Sequence, residues 1–374
     1  MMKVLFIVDQ INYGGVSKVL VDMLAALDTT RIYWEVVSIY ENDERRIKEL
    51  PYYVATIFKK IKPGEEKWLK LLPASVLRNK VEYQKFDKIV LYGNKAINIY
   101  GPIFSKQKYC CWLHDNPVYT DGMNFSNYKT IKSKFTLYRK RKAYECAEKI
   151  VCVSHECKKI FEKVWGYSEK TIALHNIVDV NYTRNMAKQY IPLEFSDGEC
   201  NIVSVGRLSS EKAFERLIRV VCRLKVHIPN VKLFIIGEGE KKNNLLKLIE
   251  DSDAQSYVKL LGLKKNPYPY ILNADLFVSS SISEAYSTVA VETLILGTPA
   301  IVTAACGMKE IMGNTKGGVV CQNSEEALYE EISKMLSDTK RLEEYKGRAV
   351  QASQCINMEQ EIQHIESFLG ERWD

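Results

Sequence analysis

Short apolar runs alternate with helical segments along this chain of 374 residues, and the alternation restarts near the middle of the chain. The first series opens at Lys3–Val8, and the second opens at Asn201–Val205. Continuous apolar strands separated by helices are typical of a parallel sheet that is covered on both faces. A polar segment at about 179–199 separates the series and contains Pro192 and Gly198, which is typical of an irregular linker. The sequence therefore predicts an α/β protein of two doubly wound, Rossmann-like domains.

The predicted elements set the domain boundaries. In the first series we predict further strands at Trp34–Ile39, Lys88–Tyr92, Tyr109–Leu113, Ile150–Val153 and Thr171–Leu174. In the second series we predict strands at Val231–Ile236, Val258–Leu261, Leu276–Ser279 and Ala300–Thr303, and helices at Lys212–His227 and Lys241–Asp251. We expect domains at residues 1–185 and 186–354. Ligands of such sheets bind beyond the carboxyl ends of the strands, so two domains facing each other would form a cleft.

Composition excludes several classes of protein. The chain is 46% apolar and 26% charged, as in soluble globular proteins, and no apolar run is long enough to span a bilayer. The short N-terminal apolar run leads directly into Asp9, which favours a buried strand over a signal peptide. Ten cysteines without paired spacing predict a reduced, cytoplasmic protein. No C-x-x-C or H-x-x-x-H spacing indicates a structural metal.

The stretch VGRLSSEKAFERL places Arg207 and Lys212 on a connection from a strand to a helix. Ser209 or Ser210 is a candidate cap for that helix. A helix N-terminus favours anions, and two cations beside it strengthen the site. A diphosphate is the natural ligand, because arginine can donate two hydrogen bonds to a phosphate. The alternative is a solvated pair of surface charges.

The stretch IIGEGEKKNNL carries Gly237 and Gly239 after another predicted strand. As a dinucleotide-binding fingerprint it is weak, because Lys242 stands where the third glycine is expected. A tight turn into a helix is the better interpretation.

The stretch SEAYSTVAVETLILGTPAIV carries two glutamates, and Glu292 is the only charged residue between Ala285 and Met308. A buried carboxylate is costly unless a partner pairs with it or donates a hydrogen bond. If Ser287 or Thr288 caps a helix there, Glu292 lies on its second turn and could bind two vicinal hydroxyls, as on a ribose. Glu284 would lie in the preceding loop, where a carboxylate and backbone N–H groups could hold a sugar and a phosphate. The alternative is that Glu292 pairs with a buried arginine or lysine.

Together these stretches resemble the retaining glycosyltransferases of family four, which have the GT-B fold. The resemblance is strong over residues 201–312 and includes the E-x7-E spacing after G-R-L-x-x-E-K. Between these motifs lie IIGEGE and LGLKKNPYPYILNADLFVSSS, and GTPAIVT and GMKEIM follow. In the first half it rests on Gly14-Gly15-Val16, on WLHD at Trp112–Asp115 and on HNIVD at His175–Asp179.

The resemblance implies a donor-binding second domain and an acceptor-binding first domain, with a C-terminal helix at about 355–374 that packs back on the first. Arg207 and Lys212 would neutralise the diphosphate of a nucleotide-sugar, Glu292 would bind the ribose, and Glu284 would contact the transferred sugar. His114 would reach the sugar near the reacting carbon. The donor-binding positions it implies are Gly15, Gly206, Arg207, Lys212, Gly262, Leu263, Glu284, Ala285, Tyr286, Ser287, Thr288 and Glu292. The catalytic positions it implies are His114, Glu284, Arg207 and Lys212.

The resemblance also implies a hexosyltransferase without a metal cofactor. One position departs from the family, because Ala285 stands where a glycine usually follows the first glutamate. Glycine tolerates a positive φ and a close approach, whereas alanine does not. We expect the remaining histidines to be mainly structural; they are His155, His175, His227 and His364.

Two basic stretches with interleaved apolar residues predict contact with an anionic membrane surface. Residues 59–85 hold eight Lys or Arg and three acids, and residues 129–142 hold seven basic residues and no acid. The interleaved residues are Trp68, Leu69, Leu71, Leu72 and Leu77 in the first stretch, and Tyr128, Ile131, Phe135 and Tyr138 along the second. The alternative is that this apolar stripe packs on the sheet of the first domain.

We therefore expect a peripheral protein at the inner face of a cytoplasmic membrane, acting on a saccharide linked to a lipid diphosphate in bacterial surface-polysaccharide biosynthesis. No nucleic acid partner is expected. Two other classes remain open at this point: a non-catalytic subunit that binds nucleotide-sugar beside another transferase, which Ala285 favours, and a nucleotide-sugar epimerase.

Overall fold

The computed structural model describes residues 1–12, 14–48, 54–57, 69, 72–104, 107–122, 125–313, 316–371 and 373. It divides into two compact units. The first contains residues 1–177 and 359–374, and the second contains residues 178–358. Among the described residues, no helix is both long and apolar enough to cross a membrane.

The first unit contains a parallel sheet of seven strands in the order β3-β2-β1-β4-β5-β6-β7. The strands are β1 Met2–Val8, β2 Ile32–Ser38, β3 Val54–Thr56, β4 Lys88–Tyr92, β5 Tyr109–Leu113, β6 Lys149–Cys152 and β7 Thr171–Ala173. The helices between them are α1 Gly15–Ala26, α2 Glu44–Lys48, α3 Ala74–Arg78, α4 Asn94–Tyr100, α5 Pro117–Asp121, α6 Ile131–Cys146 and α7 His155–Trp165. The order reverses between β1 and β4, so the loops after these two strands flank the position where such sheets bind ligands.

The second unit contains a parallel sheet of six strands in the order β10-β9-β8-β11-β12-β13. The strands are β8 Cys200–Val205, β9 Val231–Ile236, β10 Val258–Leu260, β11 Leu276–Ser279, β12 Ala300–Thr303 and β13 Gly318–Cys321. The helices are α8 Val180–Ala187, α9 Phe214–Leu224, α10 Lys242–Asp251, α11 Tyr268–Leu272, α12 Thr288–Leu296, α13 Met308–Gly313, α14 Glu325–Ser337 and α15 Thr339–Cys355. Here the order reverses between β8 and β11. The prediction of two Rossmann-like α/β domains is confirmed.

Both faces of the second sheet are covered by apolar side chains. Ile202 on β8 packs in a cluster with residues of α9, α10 and α14, whereas its neighbour Val203 packs in a cluster with residues of α8 and α11. Successive strand residues point to opposite faces, so a strand that is apolar at every position is buried on both sides.

Helix α16 spans Glu359–Gly370 and packs on the first unit. The buried Lys88 Nζ donates to the carbonyls of Phe368, Leu369 and Glu371 at the end of this helix. Glu366 Oε1 accepts from the Asp28 N–H over 2.7 Å. A lysine at a helix C-terminus satisfies carbonyl groups that have no partner within the helix.

Two predictions about local structure were wrong. The segment predicted as an irregular linker contains α8, because the Asp179 carboxylate caps it by accepting from the Tyr182 N–H over 2.8 Å. The helix predicted at Lys212–His227 is divided. A 3-10 turn at Ser210–Lys212 precedes α9, and Ala213 between them has the left-handed φ of 48°.

Candidate active site

Lys212 and Glu284 meet at the position where the strand order of the second sheet reverses. Lys212 follows β8, Glu284 follows β11, and Lys212 Nζ lies 2.6 Å from Glu284 Oε1. Their side chains are 21% and 11% exposed, so the ion pair is mostly shielded from solvent. Ser281 Oγ donates to the same glutamate oxygen over 2.6 Å. The structure thus brings together two residues that lie 72 positions apart in sequence.

A buried arginine, Arg216, links the segments around the loop that carries Lys212 and the loop that carries Glu284. Arg216 on α9 donates through Nε to the Ser280 carbonyl over 2.8 Å and through Nη2 to Asn323 Oδ1 over 2.8 Å. Ser280 Oγ donates to the Lys212 carbonyl over 2.8 Å. The sequence analysis did not identify Arg216, although its position among the apolar residues of α9 was a signal that it has a buried partner.

Arg207 is much more exposed than Lys212. Its side chain is 72% exposed, and its Nη2 lies 3.6 Å from Glu211 Oε1, which makes a weak surface ion pair. The predicted serine cap at this helix was wrong, because Ser209 precedes the 3-10 turn without a capping hydrogen bond and Ala213 is the N-cap of α9.

Glycines allow three loops of the second unit to pack closely. A Cβ at Gly237 would overlap the Gly206 carbonyl, and one at Gly239 would overlap the Leu208 carbonyl. The Gly237 N–H donates to the Gly262 carbonyl over 2.9 Å. The two glycines after β9 therefore pack the loops together, as expected of a tight turn. Next to Gly262, the side chain of Leu263 is 56% exposed.

Glu292 lies within α12 and is only 4% exposed. Of the two cap candidates, Ser287 caps this helix, because its Oγ accepts from the Ala290 N–H, and Thr288 is the first helical residue. The Tyr268 hydroxyl donates to Glu292 Oε1 over 3.1 Å. A tyrosine is therefore a partner of this buried carboxylate, and the sequence analysis did not anticipate it.

Ala285 does not need the backbone freedom of glycine. It is 5% exposed and is not among the residues with positive φ. The left-handed conformation lies instead at Gly307, whose φ is 77° and where a Cβ would lie 2.7 Å from the Ala285 carbonyl. The neighbouring Tyr286 packs its ring against the apolar cluster around α12 and α13.

Gly15 begins α1 in the first unit, and Gly14 is the N-cap without a side-chain cap. Asn12 Oδ1 accepts from the Gly14 N–H over 2.7 Å. A Cβ at Gly14 would lie 2.8 Å from that oxygen, so a larger residue there would require the Asn12 side chain to shift.

His114 follows β5 and stacks on Tyr92, with 4.2 Å between the ring centroids. Both imidazole nitrogens are buried and have no hydrogen-bond partner among the residues that the structure describes. Burial lowers the pKa of His114 to about 3, because the charged form loses its hydration. This histidine is therefore neutral at physiological pH.

Asp9 follows β1. It lies on the other side from His114 of the point where the first sheet reverses its strand order. Its carboxylate accepts from the Ala96 N–H over 2.8 Å and from the Lys95 N–H over 3.2 Å, both in the first turn of α4. Burial raises the pKa of Asp9 to about 7, and repulsion from Asp115 adds to this effect. The sequence analysis used Asp9 only to mark the end of a strand, and the abrupt change from apolar run to acid was the available signal.

The residues that the structure describes include no group of three or more His, Cys, Asp or Glu side chains arranged to hold a metal ion.

Comparisons with known proteins find similarity to glycosyltransferases. Residues 188–351 match the family model described as glycosyl transferases group 1. An uncharacterized glycosyltransferase of Methanocaldococcus jannaschii is 31% identical over 220 residues, which are 56% of this chain and 52% of that protein. The Campylobacter jejuni enzyme named N-acetylgalactosamine-N,N'-diacetylbacillosaminyl-diphospho-undecaprenol 4-alpha-N-acetylgalactosaminyltransferase is 32% identical over 48% of each chain. The chain thus spans about half the length of these curated relatives.

Solved structures match over nearly the whole chain. Anabaena HepE in complex with UDP-glucose has a TM-score of 0.80 at 19% identity and covers 99% of each chain. WaaG, a glycosyltransferase involved in lipopolysaccharide biosynthesis, has a TM-score of 0.75 at 14% identity and covers 98% of each chain. The chain therefore has the GT-B fold of these glycosyltransferases, and its residues 188–351 carry the match to the glycosyl transferases group 1 family.

Proposed function

We propose that this protein is a glycosyltransferase that moves a sugar from a nucleotide-sugar to a saccharide acceptor with retention of anomeric configuration. The observation that carries the proposal is the pairing of Lys212 with Glu284 where the second sheet reverses its strand order. Arg207 lies on the same loop as Lys212, and Glu292 lies on the helix after Glu284. Relatives that carry names of glycosyltransferases support this assignment.

The positive charges act on the leaving group. When the bond between the anomeric carbon and the phosphate oxygen breaks, negative charge develops on the β-phosphate of the nucleoside diphosphate. Lys212 is already held in place by Glu284, so it can stabilise this charge without reorganisation. The exposed Arg207 is free of buried packing and adds a planar donor group for the same phosphates.

The two glutamates divide donor recognition between them. We propose that Glu292 binds the ribose hydroxyls and that Glu284, with backbone groups of residues 285–288, contacts the transferred sugar and phosphate. Glu292→Gln is then expected to weaken binding of the bare nucleoside diphosphate, whereas Glu284→Gln mainly lowers turnover with the intact donor. Isothermal titration calorimetry with the diphosphate separates these effects, and an equal loss of affinity in both variants would contradict the division.

His114 orients the reactants and does not act as the only base. Its pKa of about 3 makes it a weak base at neutral pH. In the proposed reaction a bond forms between the acceptor oxygen and the anomeric carbon, and the departing phosphate oxygen takes the acceptor proton. Two cationic side chains replace a metal ion in this scheme, so we expect transfer to continue in the presence of EDTA.

We further propose that the acceptor is a saccharide on a lipid diphosphate and that α6 contacts the membrane. At the start of this helix Ile131, Phe135 and Tyr138 are 90%, 38% and 63% exposed. Lys129, Lys132 and Lys134 surround them and are exposed too; the two sets make up the α6 face. Apolar side chains flanked by lysines suit an anionic bilayer, where each basic residue adds about 1 kcal/mol. The Campylobacter relative is named for a diphospho-undecaprenol substrate, which supports this choice of acceptor.

The structure corrects the residues expected to form this surface. Lys140 is buried and pairs with Asp121 over 2.6 Å, so it is not available to a membrane. Arg139 donates to the carbonyls of Asn98 and Ile99. In the other basic stretch, residues 59–68 and 70–71 lie outside the described residues, and the described Leu69 and Leu77 are buried.

A transfer assay with the purified chain tests the activity. A thermal-shift screen of UDP-, GDP-, ADP- and dTDP-sugars selects the donor, because a ligand at about 100 times its dissociation constant stabilises a protein by about 2.7 kcal/mol. The selected donor is then incubated with a lipid-diphosphate saccharide. Glycosylated lipid together with free nucleoside diphosphate supports the proposal. Binding without turnover would favour a non-catalytic subunit, and interconversion of donor sugars would favour an epimerase.

Liposome co-sedimentation tests the α6 face. Binding is expected to require anionic lipid, to weaken with salt, and to drop when Lys129, Lys132 and Lys134 become serine. The matched control replaces three exposed lysines of the second unit, Lys247, Lys334 and Lys340, with serine. Binding that ignores lipid charge, or that drops equally in the control, would favour a soluble acceptor.

A further inference from the structure

Tyr268 lies directly against the carboxylate of Glu292. Its hydroxyl donates to Glu292 Oε1 over 3.1 Å, and both residues are only 4% exposed. We infer that Tyr268 is a positioning residue, which fixes Glu292 in the orientation that accepts hydrogen bonds from the donor ribose. This inference rests on the proposed function, because that function assigns Glu292 to the ribose.

Tyr268 is itself held in place from the neighbouring helix α8. Asn266 Oδ1 accepts from the Tyr268 N–H over 3.3 Å, and Asn266 Nδ2 donates to the Met186 carbonyl over 2.8 Å. The Tyr190 hydroxyl donates to the Asn266 carbonyl over 2.7 Å. The start of α11 is thus tied to the end of α8, and the phenol ring has a fixed support. Groups that bind a ligand are held precisely when the side chains behind them are themselves held.

The chemistry of a carboxylate allows it to bind Tyr268 and a ribose together. An ionised carboxylate accepts at about four lone-pair positions, so a hydrogen bond from the tyrosine does not exclude two from a diol. The phenol hydroxyl donates to one carboxylate oxygen and limits rotation of the carboxylate about its last torsion. Without this hydroxyl, Glu292 would lose one hydrogen bond that aligns it with the ribose hydroxyls.

The chain offers a matched control on the same helix. Tyr270 is 3% exposed, and its hydroxyl donates to a different carboxylate, Glu194 Oε1, over 2.8 Å. Tyr268→Phe and Tyr270→Phe therefore remove the same group from the same helix, from a buried hydrogen bond in the first variant and a part-buried one in the second. A general effect on stability would appear in both variants, whereas an effect on the ribose would appear only in the first.

The test is the preference for ribonucleotides over 2′-deoxyribonucleotides. Calorimetry measures the dissociation constants of UDP, GDP and ADP and of their 2′-deoxy analogues, so that the identity of the base does not decide the outcome. In Tyr268→Phe the ribo-to-deoxy preference should fall by roughly three- to tenfold, the size of one positioned hydrogen bond. In Tyr270→Phe it should equal that of the unsubstituted protein.

The outcomes separate this inference from the function on which it rests. If none of the three diphosphates binds, or if Glu292→Gln leaves their affinity unchanged, the proposed donor site is wrong and the role of Tyr268 fails with it. If Glu292→Gln weakens binding but Tyr268→Phe keeps the ribo-to-deoxy preference of Tyr270→Phe, the donor site stands and the inference is overturned.

Discussion

The two units place titratable side chains after the carboxyl ends of their strands but surround these side chains in different ways. In the second unit, Lys212 and Glu284 form an ion pair of 2.6 Å beside the carboxyl ends of β8 and β11. In the first unit, Asp9 and His114 also follow the carboxyl ends of strands, but burial dominates the pKa of each. Pairing keeps a group charged at neutral pH, whereas desolvation favours the neutral form.

This difference fits the ligands that the two units are proposed to bind. A cation held by a carboxylate can stabilise the charge of a diphosphate. A neutral imidazole and a partly protonated carboxyl group suit sugar hydroxyls, which carry no charge. In this proposal, the same fold provides an anionic-ligand site in one unit and a site for neutral polar groups in the other.

Replacing the two cationic residues of the proposed diphosphate site should change activity more than any other substitution described below. We expect Lys212→Ala and Arg207→Ala to lower kcat/KM roughly tenfold to more than a hundredfold, because a hydrogen bond to a charged group contributes about 1.5–3 kcal/mol. The loss should be larger for Lys212→Ala, because it also leaves the mostly buried Glu284 without its ion-pair partner. Steady-state kinetics with the selected donor measures both.

The control for these variants is Lys334→Ala, which removes an exposed lysine that pairs with Glu331 on the surface of α14. Its kcat/KM should equal that of the unsubstituted protein. Full activity in both Lys212→Ala and Arg207→Ala would show that the diphosphate site has been placed wrongly.

In the first unit, the shifted pKa values of Asp9 and His114 should make the stability of the folded protein depend on pH. The folded-state pKa of Asp9 is raised from 3.8 to about 7. Its contribution to the stability of the folded protein is therefore present below pH 3.8 and is lost as pH rises to 7. The folded-state pKa of His114 is lowered from 6.5 to about 3. Its contribution to the stability of the folded protein is therefore present above pH 6.5 and is lost as pH falls to 3. Between pH 4 and 6.5, a rise in pH therefore lowers the contribution of Asp9 to stability and raises that of His114.

Single substitutions separate the slopes. Relative to the unsubstituted protein, Asp9→Asn should gain stability as pH rises from 4 to 7, and His114→Phe should gain stability as pH falls from 6.5 to 4. We expect changes on the order of 1–2 kcal/mol across each window. Urea denaturation at several pH values measures them, and slopes of the same sign in both variants would contradict the comparison.

The smallest effect concerns the backbone beside Lys212. Ala213 has φ 48° and ψ 44°, a left-handed conformation that costs an L-residue about 1–2 kcal/mol and costs glycine little. Ala213→Gly should therefore raise the free energy of unfolding by about 0.5–1 kcal/mol after the larger entropy of unfolded glycine is included. Ala327→Gly, within α14, is the control and should lower stability. A loss of stability in Ala213→Gly would show that the alanine is not strained.

The sequence alone determined the α/β class and most of the strands, because local periodicity carries that information. The apolar runs at Lys88–Tyr92, Tyr109–Leu113 and Ala300–Thr303 became strands with the predicted bounds. The edge strands at Val54–Thr56 and Gly318–Cys321 escaped prediction. The helix at Val180–Ala187 escaped because its residues are mostly polar, and a single capping aspartate starts it.

Only the tertiary structure decided the partners of the charged residues. The sequence identified Lys212, Glu284 and Glu292 as candidates, but it could not show that the first two pair with each other or that Tyr268 holds the third. It also could not show that Lys140 is buried against Asp121, because a run of basic residues looks the same in sequence whether it faces solvent or a buried acid. Periodicity is a property of neighbouring residues, whereas an ion pair or a pKa depends on groups that the fold brings together from distant parts of the chain.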